Sequence, residues 1–553
     1  MGRWLVFVLL ALAAALPATA TAAPTVREYD LGRLDLAQDN AAFPTVPIEL
    51  QGVIGVPEGS HAAPVVLILH GRHSTCAVDA EVEPWPCPAG TERRNDLGFR
   101  YLVESLAARG YLALAVNLNA AYTLGAGETP DEGRGRTDAI VAAQLARLAD
   151  AARGAANAFG APLKGRADLT RLILVGHSKG GEAAMYLARQ RRKAKDPAPG
   201  AATDGKLPVD AAVLVAPTFE TQPTQPQVDI PTAVLLPACD GDVTDLAGAA
   251  YYDAARLSAS RKSLAASVFV RGANHNFFNQ AVTADDARDL TTPGCPPGDA
   301  LRLKPKAQRG FLSDYVGTFV DAIVRGIVSG GLDPYVQPPA ELFGAKVVTS
   351  LTQPSAQRRL VVEPRSGLNL RRDALGGRVA TAGGAQLSYC QPGRRCRPAL
   401  QQPSYPGQLR LVWRKSGGLA RFAIPPASGD VSPYDLVSLR VAVDPTATEN
   451  PAGKAQAFSL ALVDAAGKRA RVIVPATQAA LAYPIGTFAV PDAVTGFAPL
   501  GSVRVPLSLF AGVDLRRIRA IEVRGDRTAS GALLLANLEL ADLTVAPPAA
   551  RAR

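Results

Sequence analysis

The stretch Leu172-Ile173-Leu174-Val175-Gly176-His177-Ser178-Lys179-Gly180-Gly181 decides how the larger part of this chain reads. Four consecutive aliphatics form a short apolar run, as expected of a strand buried on both faces. The run breaks into G-x-S-x-G, where Gly176 and Gly180 remove the side chains that would collide in a tight strand-to-helix turn. Glu182-Ala183-Ala184-Met185-Tyr186-Leu187-Ala188 then continues as a helix-forming segment. This is the context of a nucleophile elbow, with the Ser178 hydroxyl exposed at the apex.

Working outward, apolar strands alternate with amphipathic helices between residues 23 and 336, the mark of a mostly parallel sheet with helices on both faces. Strands are expected at 65–69, 111–116, 212–215, 232–236 and 266–270. Helices are expected at 99–109 and 309–328. A Gly- and Pro-punctuated loop at 124–136 should lead into a helix capped by Thr137 or Asp138. Residues 337–344 read as a linker. Beyond it, short alternating segments such as 457–463 and 471–474 sit between Gly, Pro and Asp turns, which predicts an antiparallel β-sandwich over 345–545. Residues 546–553 read as a disordered tail.

The first 22 residues predict export. Arg3 precedes the apolar run from Trp4 to Leu16, and Pro17-Ala18-Thr19-Ala20-Thr21-Ala22 offers small residues for cleavage, the pattern of a secretory signal peptide. No later stretch reaches about 18 uninterrupted apolar residues, so no membrane span is expected. Six cysteines in an exported chain point to disulfides rather than metal ligands. Short loops close easily, which favours Cys76–Cys87 and Cys390–Cys396 and leaves Cys239 with Cys295; other pairings remain open. The formal charge of +10 is spread along the chain. Basic clusters such as 189–193 lack interleaved aromatics, so nucleic acid is not an expected partner.

A serine hydroxyl needs a base to take its proton and an acid to orient that base. In the order Ser, acid, His expected of this elbow, Asp240 in Cys239-Asp240-Gly241-Asp242-Val243 supplies the acid, with Asp242 as the alternative and Asp245 and Glu220 behind them. His275, the only histidine after the elbow, supplies the base. The oxyanion should meet two backbone N–H groups, those of Lys179 and of Arg72, with His73 as fallback for the second. His70 and His177 read as residues that orient their turns. A His70/His73/Asp79 metal site lacks a recognisable ligand spacing, and Gly125-Ala126-Gly127 is not a dinucleotide loop, so neither metal nor cofactor is expected.

Taken together, His70-Gly71-Arg72-His73-Ser74-Thr75-Cys76, Trp85-Pro86-Cys87, residues 176–182, Cys239-Asp240-Gly241-Asp242-Val243 and residues 272–279 resemble a family of secreted bacterial α/β-hydrolases. That family is similar, more distantly, to chlorophyllase, platelet-activating-factor acetylhydrolase and polyester hydrolases. The resemblance spans residues 45–330 and implies ester hydrolysis by a serine triad. Lys179 stands where the family usually has Arg; only its backbone N–H is needed. The segments 505–515, 518–523 and 531–538 resemble a galactose-binding-like jelly roll. That likeness admits either contact with carbohydrate or a cell wall, or plain structural packing; Trp413 is the only tryptophan there. Two further readings use the same residues: a surface glycan-binding protein with a silent hydrolase scaffold, and a peptidase or acyltransferase with the same triad.

Overall fold

The structure is a computed structural model that describes residues 23–37, 44–78, 83–123, 130–193, 207–219, 228–391, 407–488 and 495–543. The expected signal segment, Asp79, Glu220, Cys396 and the expected tail lie outside the described residues.

The N-terminal part runs β1 (Thr25–Ala37), β2 (Thr45–Val56), β3 (Ala63–Leu69), α1 (Arg100–Ala108), β4 (Leu112–Val116), α2 (Pro130–Arg153), β5 (Ala167–His177), α3 (Lys179–Lys193), β6 (Val209–Val215), β7 (Thr232–Cys239), α4 (Ala249–Leu257), β8 (Ala265–Asn274) and α5 (Pro305–Arg325). Its ten-stranded sheet is completed by β9 (Glu341–Leu342) and β10 (Ala345–Thr352), in the order β1-β2-β4-β3-β5-β6-β7-β8-β10-β9. The six strands from β3 to β8 are parallel to their neighbours within that set. The pair β1 and β2 flanks one edge antiparallel, and β10 with β9 flanks the other.

Both faces of the parallel strands are covered, which is why they read as continuous apolar runs. In β3, Val65, Leu67 and Leu69 face one core with Ile140, Leu145, Leu187 and Tyr252 from α2, α3 and α4. Val66 and Ile68 face the other with Leu102, Leu106, Phe311 and Val316 from α1 and α5. The α/β-hydrolase architecture expected from the sequence is the one observed.

Two boundaries differ from the sequence reading. Helix α2 starts at Pro130, because proline is preorganised for a first helical turn, and so takes in Gly133 and Gly135. Thr137 therefore lies inside the helix, where its hydroxyl donates to the Gly133 carbonyl at 2.8 Å instead of capping. Residues 345–352, expected to lie within the sandwich region 345–545, pair instead with β8 as β10 of the large sheet. The linker 337–344 likewise contains β9. Alternation within such a segment specifies a strand but not which sheet it joins.

The C-terminal part is a sandwich of two antiparallel sheets. One is built on residues 386–390, 408–413, 531–541, 436–443 and 501–506, with 358–362 on 531–541; the other on 379–382, 418–423, 518–525, 458–464 and 469–474. Trp413, Phe422, Phe458, Leu460, Ile521 and Leu533 fill the core between them. Every residue of Leu436–Val443 and Gly531–Ala541 is buried, because the outer face of that sheet packs on the N-terminal part. There Ala442, Leu534 and Ala536 join the core of the N-terminal part beside Val348. A buried polar seam runs alongside: Arg440 pairs with Asp253 of α4 and stacks over Tyr252 at 4.6 Å, and Arg358 pairs with Glu539 at 3.2 Å.

Candidate active site

The elbow is shaped by close backbone packing. Ser178 sits between β5 and α3 with φ +56, a left-handed conformation that is strained for a residue with a side chain. The strain is held by the Ser178 N–H donating to the Val215 carbonyl at 2.9 Å and by the Gly181 N–H donating to the Ser178 carbonyl at 2.9 Å. Glycine at 180 is required by contact: a Cβ there would lie 2.2 Å from the Leu69 carbonyl oxygen. Gly71 serves the loop after β3 in the same way, since its Cβ would lie 2.5 Å from the Ser178 Cβ and 3.1 Å from its Oγ. The chain carrying Arg72 is thus pressed against the serine. Lys179 opens α3, so its N–H belongs to the first turn of the helix that follows the serine. The Arg72 side chain is exposed.

Opposite the elbow, His275 Nδ1 lies 3.0 and 3.1 Å from the two carboxylate oxygens of Asp240. The same carboxylate accepts from the Val243 N–H at 2.7 Å and the Asp242 N–H at 3.1 Å, an Asx turn that fixes its direction. Both side chains are buried. His275 Nε2 has no hydrogen-bond partner among the described residues. Asp242, the alternative acid, lies on the Nε2 side at 3.4 Å without hydrogen-bond geometry, its carboxylate 56% exposed. Of the two candidates, Asp240 is therefore the one on Nδ1.

The disulfide Cys239–Cys295 ties the end of β7, next to Asp240, to the segment after the histidine loop, and Cys76–Cys87 closes the loop after β3. The third expected pairing has Cys396 outside the described residues.

Four of the five histidines gather here. The His177 ring lies 4.7 Å from His275 and 5.4 Å from His73, and His73 lies 6.4 Å from His275. His177 Nε2 is 3.1 Å from the His275 carbonyl, a contact that locks the elbow to the histidine loop. His70 Nδ1 lies 2.8 Å from the Gly71 carbonyl and its Nε2 accepts from the Leu118 N–H at 2.7 Å, an arrangement only a neutral ring can make. Burial pushes His70 and His177 below the ordinary histidine value and takes His73 down to about 3. Burial acts on His275 in the same sense, but the Asp240 carboxylate overcomes it and leaves His275 above its ordinary value. Desolvation in turn raises Asp240, against the pull of His275.

Sequence reading missed two supports. Glu182, one turn into α3, is buried and accepts from Arg134 Nε at 2.9 Å and the Thr218 hydroxyl at 2.9 Å, pinning the helix beneath the serine. Asp286 accepts from three backbone N–H groups of the acid and histidine loops. Neither partner set is sequence-local, so no spacing announces it. Among the described residues no group of three or more His, Cys, Asp and Glu is arranged to hold a metal ion, and no helix is long and apolar enough to cross a membrane.

No protein-family model matches the chain, and no curated protein matches it in sequence. Solved structures share parts of the fold. The dienelactone hydrolase of Anabaena variabilis is 17% identical, with 54% of this chain and 98% of that one covered at a TM-score of 0.30. The esterase of Pyrobaculum calidifontis is 15% identical, covering 49% and 83% at 0.28. A family 11 carbohydrate-binding module from Clostridium thermocellum, solved with a β-1,3-1,4-mixed-linked tetrasaccharide, is 12% identical, covering 34% and 96% at 0.22. These likenesses are partial, and the chemistry below rests on this chain's own side chains.

Proposed function

We propose that this chain is an exported serine hydrolase that cleaves carboxylic esters through an acyl-enzyme. Ser178 attacks the acyl carbonyl while His275 Nε2 takes its proton. Asp240 holds the imidazole in the tautomer with hydrogen on Nδ1 and stabilises the imidazolium that forms. The N–H groups of Arg72 and Lys179 receive the oxyanion. His275 then passes its proton to the leaving alkoxide. Water, deprotonated by the same ring, attacks the acyl-enzyme and releases the acid.

The observation that carries this reading is the His275–Asp240 hydrogen bond, which leaves Nε2 without a hydrogen-bond partner among the described residues, on a ring packed against that of His177, the residue before a serine held in a strained turn. A static hydroxyl–imidazole contact is not required, since such bonds often tighten only with substrate. The disulfide at the acid loop fits an oxidising compartment. For the sandwich, the packing role is favoured: Trp413 is wholly buried and offers no platform to a sugar.

A fluorophosphonate probe tests the proposal. The wild-type chain should be labelled and Ser178→Ala should not; with p-nitrophenyl esters the substitution should cut turnover by about 10⁴ or more. Equal labelling of both chains would refute the assignment. An amide substrate panel run beside the ester panel separates an esterase from a peptidase.

A further inference from the structure

Resting on the serine-hydrolase reading, we propose that Asp286 is a positioning residue that clamps the acid loop to the histidine loop and so sets the His275–Asp240 pair. Asp286 lies in the turn-rich chain between the histidine loop and α5, outside any helix or strand. One of its oxygens, Oδ2, accepts from the Gly241 N–H at 2.8 Å and from the His275 N–H at 3.0 Å. The other, Oδ1, accepts from the Asn276 N–H at 3.0 Å. A single carboxylate thus bridges the residue after the acid and the backbone of the base itself.

The contact is tight on both sides. A Cβ at Gly241 would lie 2.0 Å from the Asp286 carbonyl oxygen, so the acid loop rests directly on the clamp. Its neighbours reinforce the frame. Asp285 accepts from the Asn274 side-chain amide at 3.1 Å, and Gln308 of α5 brackets the Asn274 backbone, accepting from its N–H at 3.0 Å and donating to its carbonyl at 2.7 Å. Ala287 packs on the Cys239–Cys295 disulfide. Three backbone N–H donors thus converge on the Asp286 carboxylate, occupying both of its oxygens. Its charge stands near both members of the pair and favours the protonated imidazole. The other groups facing His275 are Asp240 on Nδ1, Asp242 on Nε2, and the neutral rings of His177 and His73.

Asp286→Asn in the full chain tests the clamp, because the nearly isosteric amide turns one acceptor into a donor facing an N–H. Misplacement of the base predicts a kcat lower by roughly 10- to 100-fold with KM little changed. The acid limb of kcat/KM should move to lower pH, and the downfield proton resonance of the His275–Asp240 hydrogen bond should shift. A folded Asp286→Asn with wild-type kcat, limb and resonance overturns the proposal, even if its melting temperature falls. If that variant does not fold, Gly241→Ala decides: a fall in kcat with the acid limb unmoved supports the clamp, and wild-type kcat refutes it. Failure of the probe to label wild-type Ser178 would instead remove the enzymatic reading and this inference with it.

Discussion

The elbow side of the candidate site keeps its histidines neutral, whereas the opposite loop keeps one histidine above its ordinary value, although His70, His177 and His275 are alike in burial. Desolvation acts in the same direction on all of them. The largest difference is one carboxylate: Asp240 on Nδ1 of His275, against a carbonyl or a backbone amide for the others. A buried imidazole becomes a base of useful strength only where a charge is placed to receive its proton. The neutral rings then serve as packing and as fixed hydrogen-bond partners, and cannot compete for the proton of Ser178.

Removing that carboxylate should erase the contrast, with the largest effect. Asp240→Asn should lower kcat by about 10⁴ through the wrong tautomer, as happens in the trypsin-like triad. The acid limb of kcat/KM should drop as His275 joins its neutral neighbours. A pH–rate profile on p-nitrophenyl esters reads both changes, and an Asp240→Asn of near wild-type kcat would pass the role of acid to Asp242.

A second test sharpens the contrast by loosening one side alone. Replacing Cys239 and Cys295 by serine removes the cross-link closing 56 residues of sequence. It should cost about 2–4 kcal/mol of stability in denaturant unfolding. The elbow carries no such link, so probe labelling of Ser178 under native conditions should fall far less than stability does.

The smallest effect concerns pH and stability. His70, His73 and His177 have lowered values when folded, so below about 6.5 the unfolded chain binds protons that the folded chain refuses. Their contribution to stability is therefore lost as pH falls, for His73 over the window from about 6.5 down to about 3. His275, raised when folded, has the opposite sign: its contribution is present below about 6.5 and lost as pH climbs through its raised value. Three rings outweigh one, so denaturation midpoints should decline between pH 7 and 5. His73→Asn should make that decline shallower, and an unchanged slope would mean that His73 does not titrate as described.

How much of this was legible varies with the range of the interaction. The elbow was read from ten adjacent residues, because strand, glycines and helix are local features that the pattern expresses directly. Asp240 and His275 were read from their places after successive strands, which chain order alone conveys. Asp286 was not read, since its partners are backbone amides 45, 11 and 10 residues away, and any chain position offers such amides. The misassigned strand β10 belongs to the same class: its residues specify a strand, but the edge of β8 that it completes is set by three-dimensional packing.

The sequence by itself determined the parallel sheet, the serine turn and the later antiparallel sheets, because burial on two faces is written as continuous apolar runs, burial on one face as alternation, and the turn as local glycines. Only the tertiary structure decided which carboxylate meets which imidazole nitrogen, which histidines stay uncharged, and which sandwich face lies against the N-terminal part. Those outcomes depend on distances of about 3 Å between segments far apart in the chain, where electrostatics and hydrogen bonding act and where linear order carries no information.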